Sequence, residues 1–278
     1  GGGKEHVIKL NYTSLQHPVE PVEGAGMASR PGPVTGPGSD ANRPPGMARS
    51  AVPVLVLPLH GHLAPAAWAA AQASPGLKVG YVQTGGGALP GSLSRDVVEL
   101  RRRGLLCGHI TAGPAYGGEH EALSTVGALD AAANRLGWDA ILVGPGPGII
   151  GSETNLGHGG MAALDSAHAA LSLSMPTMIS PRLSSADPRE RHRGLSHHTR
   201  TILELLLAPV DIAVPEGEPD PLSELELVGG DRHRLRAAPT DLAAYAASGL
   251  PTTTMGRSLE EDSLFFAAPV AAGRLLVE

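Results

Sequence analysis

The chain has 278 residues, room for one large α/β domain or a domain with an appendage. Hydrophobic residues make up 42% of it and aromatics only 3%, so a core must be built from Ala, Val, Leu and Ile. The formal charge of −6 gives no basic footprint for nucleic acid, the one cysteine, Cys107, rules out an internal disulfide, and no apolar run reaches membrane-spanning length.

The lone cysteine fits a reducing compartment, and no signal peptide opens the chain, so a soluble cytoplasmic protein is the default expectation. Residues 1–24 contain an alternating stretch, His6 to Leu10, that predicts a strand extended by Tyr12-Thr13. Residues 25–50 are dominated by Pro, Gly and small polar residues. Such a segment cannot bury enough surface to offset its ordering entropy, and it reads as a mobile linker.

From residue 51 to 278 the pattern is that of an α/β domain. "VPVLVLP" is a continuous apolar run, the mark of a strand covered on both faces. "APAAWAAAQA" follows as a helix, "LKVGYVQ" as a strand and "SRDVVELRRRG" as an amphipathic helix stopped at Gly104. "LLCGHIT" is the third strand, and "EHEALSTVGALDAAANRLG" a helix stopped at Gly137. "DAILVG", "PTMIS" and "VDIAVP" are further strands, separated by the helices "GGMAALDSAHAALSLS" and "HTRTILELLLA". Towards the end, "SELELV" and "HRLRAA" read as paired strands, "TDLAAYAAS" as a helix and "PTTTMG" as a strand. Ser258 and Glu261 form a capping box that marks a final helix. Alternating strands and helices predict a three-layer, largely parallel, doubly wound (Rossmann-like) sheet, preceded by a short N-terminal β segment.

In such a sheet, ligands bind outside the carboxyl ends of the strands, near a switch in strand order. The histidines follow that rule. His60 and His62 come after the first strand, His109 and His120 in and after the third, and His158 after the fourth. His192, His197 and His198 come after the fifth. Eight of the twelve histidines thus fall on the strand-to-helix side, and this reading leaves none in a helix-to-strand loop.

Several of these positions also have ordinary structural readings. Asp187-Pro188 resembles a helix start, Ser196 can cap the helix through His197, His109 reads as a core histidine, and His168 sits midway along a helix. His60, His62, Asp187, His197 and His198 together read as the chemical core, with one of His197 and His198 facing the first-strand histidines. The other is expected to bond a backbone group or a carboxylate such as Asp187. Convergent imidazoles suit either a transition metal or general acid–base work, with arginines holding an anion. No established metal motif identifies an ion or cofactor, and both stay unassigned.

Gly146, Gly148 and Gly151 spell G-x-G-x-x-G after a strand. However, the strand is the fourth, Pro147 removes an amide donor, and no ribose-binding acid follows the next strand. What stands is a backbone cradle for an anion, helped by Ser152 and Thr154, or tight turns that need glycine. "TGGGALPG" invites the same pair of readings.

Six segments in chain order, "LPLHGHLAPAA", "YVQTGGGALPGSLS", "LLCGHITAGPAYGGEHEAL", "GPGPGIIGSETNLGHGGMAALDSA", "RLSSADPRERHRGLSHHT" and "TTTMGRSLEEDSLFFAA", resemble the uncharacterised bacterial family catalogued as domain of unknown function 3866. The resemblance implies no activity. It implies that an N-terminal β-rich segment of the family pattern is missing. It also shows Gly-Thr-Gly-Thr replaced by Gly151-Ser152-Glu153-Thr154, where the carboxylate would repel an anion. The expectation is an enzyme acting on a small polar or phosphorylated metabolite, or a non-catalytic sensor of a small anionic ligand. Neither reading uses nucleic acid or membrane, and a homo-oligomer is compatible with both.

Overall fold

The computed structural model describes residues 7–9, 14, 16–24, 51–229 and 231–278. The expected linker, residues 25–50, lies outside them. Strands β1 (Val7–Lys9) and β2 (His17–Val19) form a small antiparallel hairpin. The residues after it, Pro21 to Gly24, attach to the main sheet: Val22 is buried and its N–H donates to Glu121 O.

The main sheet has eight strands: β3 (Val54–Val56), β4 (Val79–Thr84), β5 (His109–Ala112), β6 (His120–Ala122), β7 (Ala140–Pro145), β8 (Thr177–Ile179), β11 (Asp211–Pro215) and β12 (Arg234–Ala238). Their spatial order is β12-β11-β8-β3-β7-β4-β5-β6, with every pairing parallel. Two short strands outside it, β9 (Leu183–Ser184) and β10 (Gly194–Leu195), pair antiparallel and close a loop after β8. A terminal hairpin joins β13 (Thr253–Thr254) to β14 (Arg257–Ser258).

Helices cover both faces. Strand side chains alternate in direction, so Val54 and Val56 enter one apolar core and Leu55 and Leu57 the other. The first core is closed by α3 (Thr125–Asn134), α4 (Ala162–Ser172), α5 (His197–Leu205) and α6 (Pro219–Gly229). The second is closed by α1 (Leu63–Ala73), α2 (Arg95–Arg102), α7 (Leu242–Ala247) and α8 (Ser263–Leu276). This is the three-layer α/β, Rossmann-like fold read from the sequence.

Four local readings change. "SELELV" lies in α6 and not in a strand: Leu225 and Val228, three residues apart, meet the core, while Leu227 is exposed. "HRLRAA" therefore pairs with β11, parallel to it, and not with "SELELV". His120 belongs to the edge strand β6 and not to a helix, because the Ser124 side chain caps α3 by accepting from Gly127 N–H. The capping box at Ser258 and Glu261 does form, with both reciprocal bonds, but it closes a turn; α8 starts two residues later. His233 stands in a helix-to-strand loop between α6 and β12, so that side of the sheet is not free of histidine.

The topology fixes where a ligand belongs. From β3 the chain moves outward through β4, β5 and β6, then returns to insert β7 between β3 and β4 and proceeds the other way through β8. The loops after β3, β7 and β8 therefore diverge at the switch, leaving a crevice above the carboxyl edge.

Candidate functional site

A cleft of about 490 Å³ occupies that crevice. It takes His60 from the turn after β3, residues 147–152 from the loop after β7, and Arg182, Arg189, Arg191, His192 and His198 from the segment after β8. Asp96 at the start of α2 and Met255 at the tip of the terminal hairpin complete the rim.

On one wall, His60 Nε2 hydrogen-bonds Ser94 Oγ at 2.8 Å and lies 3.9 Å from Asp96 Oδ2. Ser94 is the cap of α2, accepting from Val97 N–H, so the helix start holds this ring in place. Burial pulls the His60 pKa down, and Asp96 and the Pro145 carbonyl offset part of the effect. His62, two residues on, points the other way. It is fully buried, with Nδ1 bonded to Ser180 Oγ at 2.9 Å and its ring edge against Phe265. Sequence placed it in the site, but the tight turn His60–His62 sends the second histidine into the core. His109 is likewise internal, bonded through Nε2 to Gln83 Oε1 and stacked on Tyr81.

The facing wall is the segment closed by β9 and β10. At its centre sits Asp187, fully buried, with Arg189 at 2.9 Å, Arg182 at 3.3 Å and Arg257 at 3.5 Å. Burial pushes this carboxyl up, but bonds and charge from Arg189 and the charge of Arg182 outweigh it and hold it below the usual carboxylate range. Asp187 is not a helix cap and does not line the cleft. Both its oxygens are committed to arginines, and its Oδ1 also accepts from Arg189 N–H. Arg257 is shared with a second buried carboxylate, Asp262, at 2.9 Å. Arg191 is exposed at the rim and makes no ion pair among the described residues.

Behind these arginines, four imidazoles pack together, one pair stacked and the others edge-on or tilted. Ser196 caps α5 by accepting from His198 N–H, which puts His197 and His198 in the first turn, as the sequence suggested. His198 reaches the cleft that His60 lines. His197 turns into a cluster with His192 and His158, its ring 4.3 Å from that of His198, 4.9 Å from His192 and 5.7 Å from His158. It bonds neither Asp187 nor a backbone group: both its ring nitrogens lack a partner among the described residues. His158 stacks on His198 at 3.5 Å between centroids. Burial and neighbouring cations lower His192 to about 3, and burial with His158 and Arg182 lowers His198 to about 2, so both rings are neutral.

The glycine loops are built for one another. Ala88 N–H donates to Pro147 O at 3.0 Å, and a Cβ at Gly87 would stand 2.3 Å from Gly146 O. A Cβ at Gly159 would stand 2.2 Å from Gly86 O. The glycines therefore let two backbones touch. Gly148 has φ of 87° and turns the loop into the cleft. Ser152 and Thr154 spend their hydroxyls on each other and on Gly157, rather than presenting them to an anion. Gly87→Ala is expected to lower the thermal midpoint by several degrees, since the two loops must separate; an unchanged midpoint would show that they are not packed as described.

His60, His198, Gly148, Gly151 and Ser152 of the expected set thus meet on one cleft, while His62, Asp187 and His197 stand behind its walls and Gly146 and Thr154 support a loop. Sequence reasoning allowed arginines to hold an anion but named none of Arg182, Arg189 and Arg191 among the site residues. The one available signal was Arg182, a long cation two residues past an apolar strand. Asp96, Met255 and Arg257 carried no signal, because their approach depends on tertiary structure alone.

No curated protein and no solved structure matches the chain. Among the described residues no helix is long and apolar enough to cross a membrane. Residues 2–273 match the family model described as a protein of unknown function, DUF3866, and the chain belongs to that family.

Proposed function

We propose that the cleft takes a small anionic metabolite, phosphorylated or carboxylate, and that the chain is an enzyme acting on it in the cytoplasm. The observation that carries this reading is the opposition across one cleft of Arg182, Arg189 and Arg191 to the His60–Asp96 pair. Guanidinium groups recognise carboxylate and phosphate oxygens in a planar, two-pronged manner. A buried imidazole beside a carboxylate can take up or release a proton next to the bound group. The role read for Asp187 in the sequence passes to positioning: it holds two of the arginines that line the cleft.

One observation favours the rival, a sensor without chemistry. His60 Nε2 is already engaged by Ser94, and Asp187 is enclosed by cations, so neither waits free in the cleft. Incubation with a metabolite extract, read by mass spectrometry, separates the two. The enzyme reading expects a compound consumed by the wild type and spared by His60→Gln. Saturable binding without consumption would establish the sensor.

Anion binding itself is tested with inorganic phosphate by calorimetry. Arg191→Gln is expected to weaken it about tenfold, roughly one charge-assisted bond, without changing the thermal midpoint. An unchanged affinity would place the anion elsewhere.

A further inference from the structure

We propose that His158, His192, His197 and His198 form a binding site for one transition-metal dication of the Zn²⁺ class. Three of them, His192, His197 and His198, can each offer a ring nitrogen such that all three atoms lie within 4.8 Å of one another. A tetrahedral Zn²⁺ with ligands at about 2.0–2.1 Å separates its donor atoms by about 3.3 Å, so ring rotations close this set of three, and His158, whose ring lies parallel to that of His198, joins as the fourth ligand by turning out of that stack.

His158 supplies the most specific argument. Its Nε2 lies 2.9 Å from Asn155 O, a carbonyl that can only accept, so Nε2 carries the proton and Nδ1 the lone pair. That Nδ1 is buried and has no hydrogen-bond partner among the described residues. A histidine whose outer nitrogen donates to a backbone carbonyl and whose inner lone pair is left bare has the arrangement of a metal ligand. Leaving such a lone pair unpaired in a buried position costs stability unless something occupies it. His197 repeats the point, with both ring nitrogens buried and unpartnered among the described residues. Gly160 lets the cluster form: a methyl there would stand 2.9 Å from His158 Nδ1 and 3.3 Å from His198 Nδ1.

The donor set selects the metal. Among the described residues no carboxylate joins the imidazoles, since Asp187 belongs to the arginines. Neutral imidazoles suit Zn²⁺, Co²⁺, Ni²⁺ and Cu²⁺, whereas Mg²⁺ and Ca²⁺ seek oxygen. Arg182 Nη1 stands 3.4 Å from His198 Nδ1, so a cation bound here shares its surroundings with a guanidinium. That surplus of positive charge is matched by an anion, and His192 and His198 open onto the cleft. The metal would then meet an oxygen of the anionic ligand, a clause that rests on the function proposed above. The site itself does not.

The test uses the full chain without a histidine tag, stripped by chelator and dialysed. Titration with Zn²⁺ is expected to show one equivalent bound, and Co²⁺ to give visible ligand-field bands that Zn²⁺ abolishes. His197→Ala is expected to weaken Zn²⁺ binding at least tenfold with an unchanged thermal midpoint, because that ring has no hydrogen bond to lose. His158→Gln should weaken it similarly, and His120→Gln, on the far edge strand, should not. Failure to take up one equivalent, or uptake unaltered in both His197→Ala and His158→Gln, would overturn the site. Inorganic phosphate is then titrated with and without Zn²⁺. Tighter binding with the metal supports the link to the cleft, and equal binding overturns that link alone. No phosphate binding in either state counts against the proposed function and leaves the metal site standing.

Discussion

Lowering the pH from 7 to 5 is expected to remove about 4 kcal/mol of folding stability through two buried histidines, His62 and His109. Burial, with help from Arg182, lowers His62 to about 3. Burial lowers His109 to about 4, with Glu119 opposing and His60 and Arg101 assisting. Both are almost wholly shielded from solvent. An unfolded chain protonates each near its ordinary value of about 6.5, while the folded chain holds both rings neutral down to the lowered values. Between those limits protons favour unfolding, at about 1.4 kcal/mol per pH unit for each ring. At pH 5 the two together reach about 4 kcal/mol, a large part of the roughly 5–15 kcal/mol that holds a domain folded.

Urea denaturation at pH 7 and pH 5 on metal-free protein measures this loss. His62→Leu, which puts an apolar group against Phe265, should reduce the loss by about 2 kcal/mol. Stability that stays level between the two pH values would mean that the rings are solvated or ion-paired, contrary to their positions. His192 and His198 act in the same direction in the metal-free chain.

These histidines also show how far sequence carries. Residue type and strand order placed His60 and His198 at one carboxyl edge, because an apolar run covered on both faces announces a parallel sheet and crossovers are right-handed. Whether a histidine then faces the cleft or the core is set by a single turn. His60 and His62 differ only by two thirds of a 3-10 turn, and no periodicity distinguishes them. The stretch "SELELV" misled for a related reason. Its alternation imitates a strand, and only the spacing of Leu225 and Val228 against a core not visible in the sequence makes it a helix. Which arginines would hold the anion was the largest gap. A run of Arg at alternate positions is normally a solvated face. Here Asp187 draws Arg189 inward, and Arg257 arrives from a hairpin seventy residues away.

Replacing Asp187 by Asn is expected to cost about 3–5 kcal/mol, more than any single arginine facing it. The side chain of Arg182 is 7% exposed and that of Arg257 12%, so neither can reach water when the carboxylate is lost. Removing one partner from a buried ion pair leaves the other uncompensated, and that penalty exceeds what the pair contributed. Arg257 retains Asp262, and Arg189, at 46% exposure, can turn outward, so Arg182 carries most of the cost. Arg182→Gln should therefore cost less than Asp187→Asn, and Arg189→Gln least of the three. The double variant Asp187→Asn with Arg182→Gln should recover part of the loss, because it removes the stranded charge together with its partner. Urea denaturation of the four proteins checks the order, and phosphate titration adds a second reading. An Asp187→Asn chain that still folds has lost the group orienting Arg182 and Arg189, and should bind the anion more weakly than Arg189→Gln does. If Asp187→Asn costs no more than a surface substitution, about 0.5 kcal/mol, the carboxylate does not organise this wall, and the arginines are held by something else.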